Sequence, residues 1–205
     1  MDKVLDQRDI DLRRWGEKER NDFHTIFGTD GEKVVHIDMP IKGVPHVIEM
    51  KAVDVMRDCI RRIRYVRERM TVDSFINIIN DPREVCAKVV GEPQQDYKVE
   101  IGINFVGRKN KNSNYRACSK VSGGDSQVST LCHELSHIPK KWTNSKEGGM
   151  GTSDYDSKGI KQSPFDDDKG SYYEHVIGAC KLVNEQSELV FDNAYNIERY
   201  FEIAV

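Results

Sequence analysis

Residues 130–137 read Thr-Leu-Cys-His-Glu-Leu-Ser-His, and the HExxH motif inside them constrains the chain more than any other feature. Successive residues of an α-helix advance by about 100°, so His133 and His137 fall one turn apart on one face, where two imidazole nitrogens can meet a single metal ion. Glu134 is placed too tightly to be a third ligand, but it can reach a water beside that ion, where a general base belongs. Zinc suits the arrangement, because it accepts tetrahedral nitrogen and oxygen ligands and brings the pKa of bound water to about 7. A catalytic site of this kind needs one more protein ligand. The sequence also delimits the helix: Gly123 and Gly124 break the chain before it, Asp125 or Ser126 is a ready N-cap, and Pro139 stops it. Cys132 adjoins His133 but points about 100° away, which predicts a buried apolar role.

Composition narrows the partners. With 205 residues the chain can close a core as a single domain. Its net charge of -3 and pI near 6.1 make no electrostatic case for nucleic acid. No apolar run approaches the roughly 20 residues of a membrane span. The first 20 residues carry Asp2, Asp6, Asp9 and Asp11 among basic side chains and no apolar core of a secretory signal. Three settings are therefore expected: an intracellular protein, one exported by a dedicated route, or a piece of a longer polypeptide. Cys59, Cys86, Cys118, Cys132 and Cys180 show no CxxC spacing and allow at most two disulfides.

Periodicity gives a coarse map. Residues 1–24 are densely charged with sparse apolar points at Leu5, Ile10, Leu12 and Trp15, which predicts a peripheral surface helix. Val34, Val35, Ile37 and Met39 form an extended run before Pro40. Over 47–70, Met56, Cys59, Ile60, Ile63, Val66 and Met70 recur at helical spacing, with Arg57, Arg61 and Arg64 on the solvated side. Phe75, Ile76, Ile78 and Ile79 are compatible with a continuation of that helix until Asp81-Pro82. Residues 85–90 form a further short apolar run, and Tyr97, Val99, Ile101, Ile103 and Phe105 alternate as a strand. That strand is either an ordinary core strand or an exposed edge along which a peptide could pair. Residues 107–125 read as a long polar loop, and helical spacing returns over 171–200.

Three patterns compete for the third ligand. A metzincin would place Gly and His where this chain has Lys140 and Thr143, which excludes that class. A gluzincin would use a glutamate on a later helix, and Glu174 is available. The third choice is Asp154 in Gly151-Thr152-Ser153-Asp154.

HELSH followed by GTSD resembles the deuterolysin or aspzincin family of zinc endopeptidases, which includes the peptidyl-Lys metallopeptidases and is marked by HExxH and GTxDxxYG. FHTIFG at 23–28, the strand at 101–105 and DNAYNIERYF at 192–201 extend the likeness loosely over most of the chain. The resemblance implies an α+β, zincin-like domain over 1–205, mostly helical, with a small antiparallel or mixed sheet above the HExxH helix. It implies one catalytic zinc held by His133, His137 and Asp154, with Glu134 as base, acting on a protein or peptide substrate. Family members often prefer a basic residue after the cut, and Asp156 or the acidic run 166–168 would receive such a cation. The family's oxyanion-binding tyrosine is replaced by Ser157, and the glycine comes one place late at Gly159. Tyr155, Tyr172, Tyr173 and Tyr195 are the candidate substitutes. Without a signal peptide, a secreted effector or toxin with a cognate inhibitor or immunity protein is the expected setting. The alternative is a non-catalytic zinc-binding interaction module.

Overall fold

The charged N-terminus, predicted as one peripheral helix, folds as two helices that belong to the core. In the computed structural model, which describes residues 1–39, 44, 46–80, 86–90, 97–106, 118, 120–141, 147–162 and 172–205, α1 spans Asp2–Arg14 and α2 spans Glu17–Phe27. Trp15 breaks them apart in the left-handed region at φ 44°, and Leu5, Leu12, Phe23 and Phe27 are fully buried. Sparse apolar points sufficed because they fall on one stripe of each helix. Phe27 stacks on Phe191 at 4.9 Å between ring centroids, tying the start of the chain to its end.

A hairpin follows, β1 (Val34–Asp38) paired antiparallel with β2 (Val47–Lys51). Residues 47–51 were expected to open a helix, but their alternating side chains fit the pleat opposite β1, so α3 begins only at Ala52 and ends at Arg67. The predicted stripe is buried: Met56, Cys59, Ile60, Ile63 and Val66 face inward. Arg64 and Arg67 pair with Asp6 and Asp2 at 2.7 Å each, clamping α1 to α3. Arg62 is fully buried, with Nε on Asp58 Oδ2 at 2.6 Å and Nη1 on the Glu147 carbonyl at 2.6 Å.

The helix does not continue through 71–80. Thr71 is extended, a 3-10 turn covers Val72–Ser74, and β3 (Phe75–Asn77) joins a sheet. β-branched Ile76 favours that pairing. The sheet has order β3-β5-β4, with β4 over Ala87–Val90 antiparallel and β3 parallel to the central strand β5 (Lys98–Ile101). The alternating strand is thus central and not an edge, and it ends early because the chain turns over 103–106. β4 is the strand that packs on the HExxH helix, α4 (Gln127–His137).

Beyond α4 come a two-stranded hairpin of β6 (Asp154–Tyr155) and β7 (Lys161–Gln162), then α5 (Tyr172–Asn184), a 3-10 turn over Glu188–Phe191 and α6 (Ala194–Phe201). The helical run expected over 171–200 is therefore three segments. The architecture is α+β, with six α-helices and three small sheets among the described residues. No described helix is long and apolar enough to cross a membrane.

Candidate metal centre

α4 starts where the sequence says it should. Ser126 is its N-cap, accepting from the Ser129 N–H at 3.1 Å, and Asp125 takes the left-handed conformation at φ 51°. The helix ends at His137, just ahead of Pro139. Val128, Cys132 and Leu135 enter the core, while His133, Glu134 and His137 are buried along the adjoining face.

The segment after α4 folds back onto the helix end and delivers Asp154. The N–H groups of Gly149, Gly151 and Thr152 donate to the carbonyls of Pro139, Ile138 and Ser136 at 3.0–3.1 Å. The Ser136 and Ile138 carbonyls are among those a helix terminus leaves unpaired. Gly149 is required by proximity, since a Cβ there would sit 2.1 Å from the Ile138 carbonyl oxygen. Ser136 and Thr152 share a hydroxyl–hydroxyl bond of 2.6 Å. Ser153 is held from the other side, its N–H on the Asp192 carbonyl at 2.8 Å and its own carbonyl on the Ala194 N–H. Buried Arg62 anchors the same return loop at Glu147.

Two histidines and a carboxylate converge as a result. His133 Nε2 lies 3.4 Å from Asp154 Oδ1 and His137 Nε2 lies 3.7 Å from Asp154 Oδ2, with the three donor atoms all within 4.8 Å of one another. Tetrahedral bonds of about 2.0–2.1 Å put neighbouring ligand atoms about 3.3 Å apart, close to these separations. Asp154 Oδ1 is buried and has no hydrogen-bond partner, an arrangement a cation would satisfy. His137 Nδ1 lies 3.0 Å from the Thr152 carbonyl, which fixes the tautomer that turns a lone pair on Nε2 toward Asp154. These residues therefore form a group fit to hold a metal ion.

Electrostatics set the protonation of the group. Burial works against a charged His133, but the carboxylates of Asp154, Glu198 and Glu134 outweigh it and push the imidazole up to about 10. Burial leads at His137, where His133 adds to it and only Asp154 and the Thr152 carbonyl oppose, so that ring falls to about 4. Burial also disfavours a charged Asp154, yet the three neighbouring histidines prevail and hold it below the usual carboxylate range. Glu134 is pushed up to about 8, chiefly by burial, with His133 and the Val89 N–H opposing and Asp154 adding. That N–H, on the outward side of β4, donates to Glu134 Oε2 at 2.7 Å.

Other predicted residues lie elsewhere. Tyr155 leaves the opposite side of β6 from Asp154, is buried, and donates its hydroxyl to Asp192 Oδ2 at 2.6 Å. Burial and Asp192 raise that phenol further. Glu174 is engaged by the Ser157 hydroxyl and, at 3.3 Å, by the Ser157 N–H, and among the described residues the carboxylate grouped with His133 and His137 is Asp154. Asp156 Oδ1 accepts from the N–H groups of Lys158 and Ile160 and closes the turn between β6 and β7. Tyr173 is exposed, and both the side chain of Tyr172 and the run 166–168 lie outside the described residues. Among the described residues Tyr195 is the tyrosine at the site, its ring 4.7 Å from that of His133 in T-shaped contact and stacked at 5.0 Å on His175. Sequence reading missed His175 and Glu198. The signal for Glu198 was there, because it follows Tyr195 by three residues and so shares its face of α6.

Comparison with family models, with curated proteins and with solved structures gave no match.

Proposed function

We propose that this chain is a zinc-dependent endopeptidase of zincin-like fold, related in its chemistry to the aspzincins it resembles. The observation that carries the reading is the convergence of His133, His137 and Asp154 from two separate elements, with Glu134 buried beside them. A zinc ion in that group would supply a Lewis acid for the scissile carbonyl and make attacking water acidic near neutral pH. Glu134 takes the proton from the attacking water and passes it to the leaving amine nitrogen, so one water is consumed and one C–N bond is broken. The Val89 N–H orients the carboxylate, and the Thr152 carbonyl holds His137. Tyr195 is our candidate for the oxyanion donor that Ser157 cannot be. The substrate is a protein or peptide, and a secreted effector or toxin with its own inhibitor is the biological setting we favour.

One observation favours a second reading, a non-catalytic metal-binding module: Tyr155 and Ser157 are tied to Asp192 and Glu174. Unfolded casein separates the two. Cleavage abolished by a chelator and by Glu134→Gln supports the peptidase, whereas intact casein with zinc bound supports the module.

A further inference from the structure

His137 and His133 are not held alike. His137 rests on a neutral carbonyl of the return loop, whereas His133 Nδ1 lies 3.1 Å from Glu198 Oε2 on α6, a different helix. Glu198 is largely buried, its side chain 15% exposed, and its other oxygen accepts from the Thr130 hydroxyl at 3.4 Å. Thr130 is one turn before Glu134 on α4, so the carboxylate is fastened to the same helix that carries the histidine. The His133 N–H is out of line for a full hydrogen bond in this arrangement, and Nδ1 has no other partner. A carboxylate in this position makes a histidine a stronger ligand and fixes the tautomer that leaves Nε2 free for metal.

We infer that Glu198 is the positioning residue of the metal centre, holding His133 with Nδ1 protonated and Nε2 turned toward Asp154. The inference rests on the metal-centre reading above. It gives α6 a task beyond packing: one face of it brings Tyr195 against the His133 ring and Glu198 to Nδ1.

The test compares wild type, Glu198→Gln and Glu198→Ala, each loaded with zinc. The reading is taken on zinc release into excess chelator. Release is expected to be about 10- to 100-fold faster for Glu198→Ala and intermediate for Glu198→Gln, which keeps an acceptor but no charge. Long-range proton–nitrogen NMR of the loaded wild type should show the His133 Nδ1–H shifted downfield, a signature that both variants lose. Equal release rates with an unchanged Nδ1–H signal would overturn the role of Glu198 while leaving the metal centre intact. A wild type that binds no zinc would overturn both.

Discussion

Raising the pH should tighten metal binding well above the range in which histidine sites ordinarily respond. In the metal-free protein His133 keeps its proton up to about 10, because three carboxylates surround it, while His137 is already neutral above about 4. Zinc needs both Nε2 lone pairs, so below pH 10 it must displace the His133 proton, and each unit of added pH removes a tenfold penalty. Between pH 7 and pH 9 this amounts to about 100-fold in affinity, or about 2.7 kcal/mol. A site built from histidines of ordinary pKa, near 6.5, would gain less than about twofold over the same interval. Glu134 acts in the same direction, since its carboxyl, raised to about 8, gives up its proton more readily beside a dication. Competition against a chromophoric chelator of known pH response measures the affinity. Calorimetry in buffers of different ionisation heat counts the protons released at pH 7. An affinity that changes by less than about threefold between pH 7 and 9, with no proton released, would refute the electrostatic picture of the site.

Asp154→Ala should abolish zinc binding in equilibrium dialysis while Glu174→Ala retains it, and the reverse would exchange their roles. Tyr195→Phe should lower kcat on a peptide substrate by about 10²-fold with zinc content unchanged, the loss expected of one oxyanion donor. Asp58→Ala removes the buried carboxylate paired with the Arg62 guanidinium and should destabilise the fold by about 3–5 kcal/mol. At this chain length that is roughly 6–20 °C in Tm by calorimetry. The thiols of Cys86 and Cys118 lie 2.9 Å apart, so mild oxidation should join them in a disulfide detectable by mass, while buried Cys59 and Cys132 stay unreactive to thiol reagents.

What the sequence disclosed was governed by range. α4 was legible because its cap, its stop and its ligand spacing are all local, and Ser126, Pro139 and the two histidines each act within one or two turns. Asp154 was legible only as part of a motif, since nothing within 151–154 says that the Gly151 and Thr152 N–H groups will meet the carbonyls of Ile138 and Ser136. The helix expected over 71–80 failed for the opposite reason: Phe75 and Ile76 carry a pattern that fits either period, and a parallel partner some 24 residues later decided it. Nothing in the stripe marked Arg62, because a stripe predicts the side of a helix and not the depth; Asp58 and the Glu147 carbonyl are among the partners that hold its guanidinium inside. Glu198 is marked only by its place one turn after Tyr195 on α6, and His175 by nothing local.

The site's dependence on distant partners explains why its parts are spread over so much of the chain. Each histidine nitrogen that faces away from the metal position needs an acceptor, and α4 cannot provide one, because its own carbonyls are committed to the helix. His137, in the last turn, can use the returning backbone at Thr152, which is there because the orphan carbonyls draw it in. His133, one turn earlier, lies beyond that backbone's reach and must take a side chain from a helix packed alongside. The aromatic contacts of Phe27 with Phe191 and Tyr200 fasten that helix to the N-terminal pair. A substitution at Phe27 that shifts α6 should therefore reach His133 through Glu198, so zinc release and the Nδ1–H signal would change together, and release unaltered with a shifted signal would refute the link.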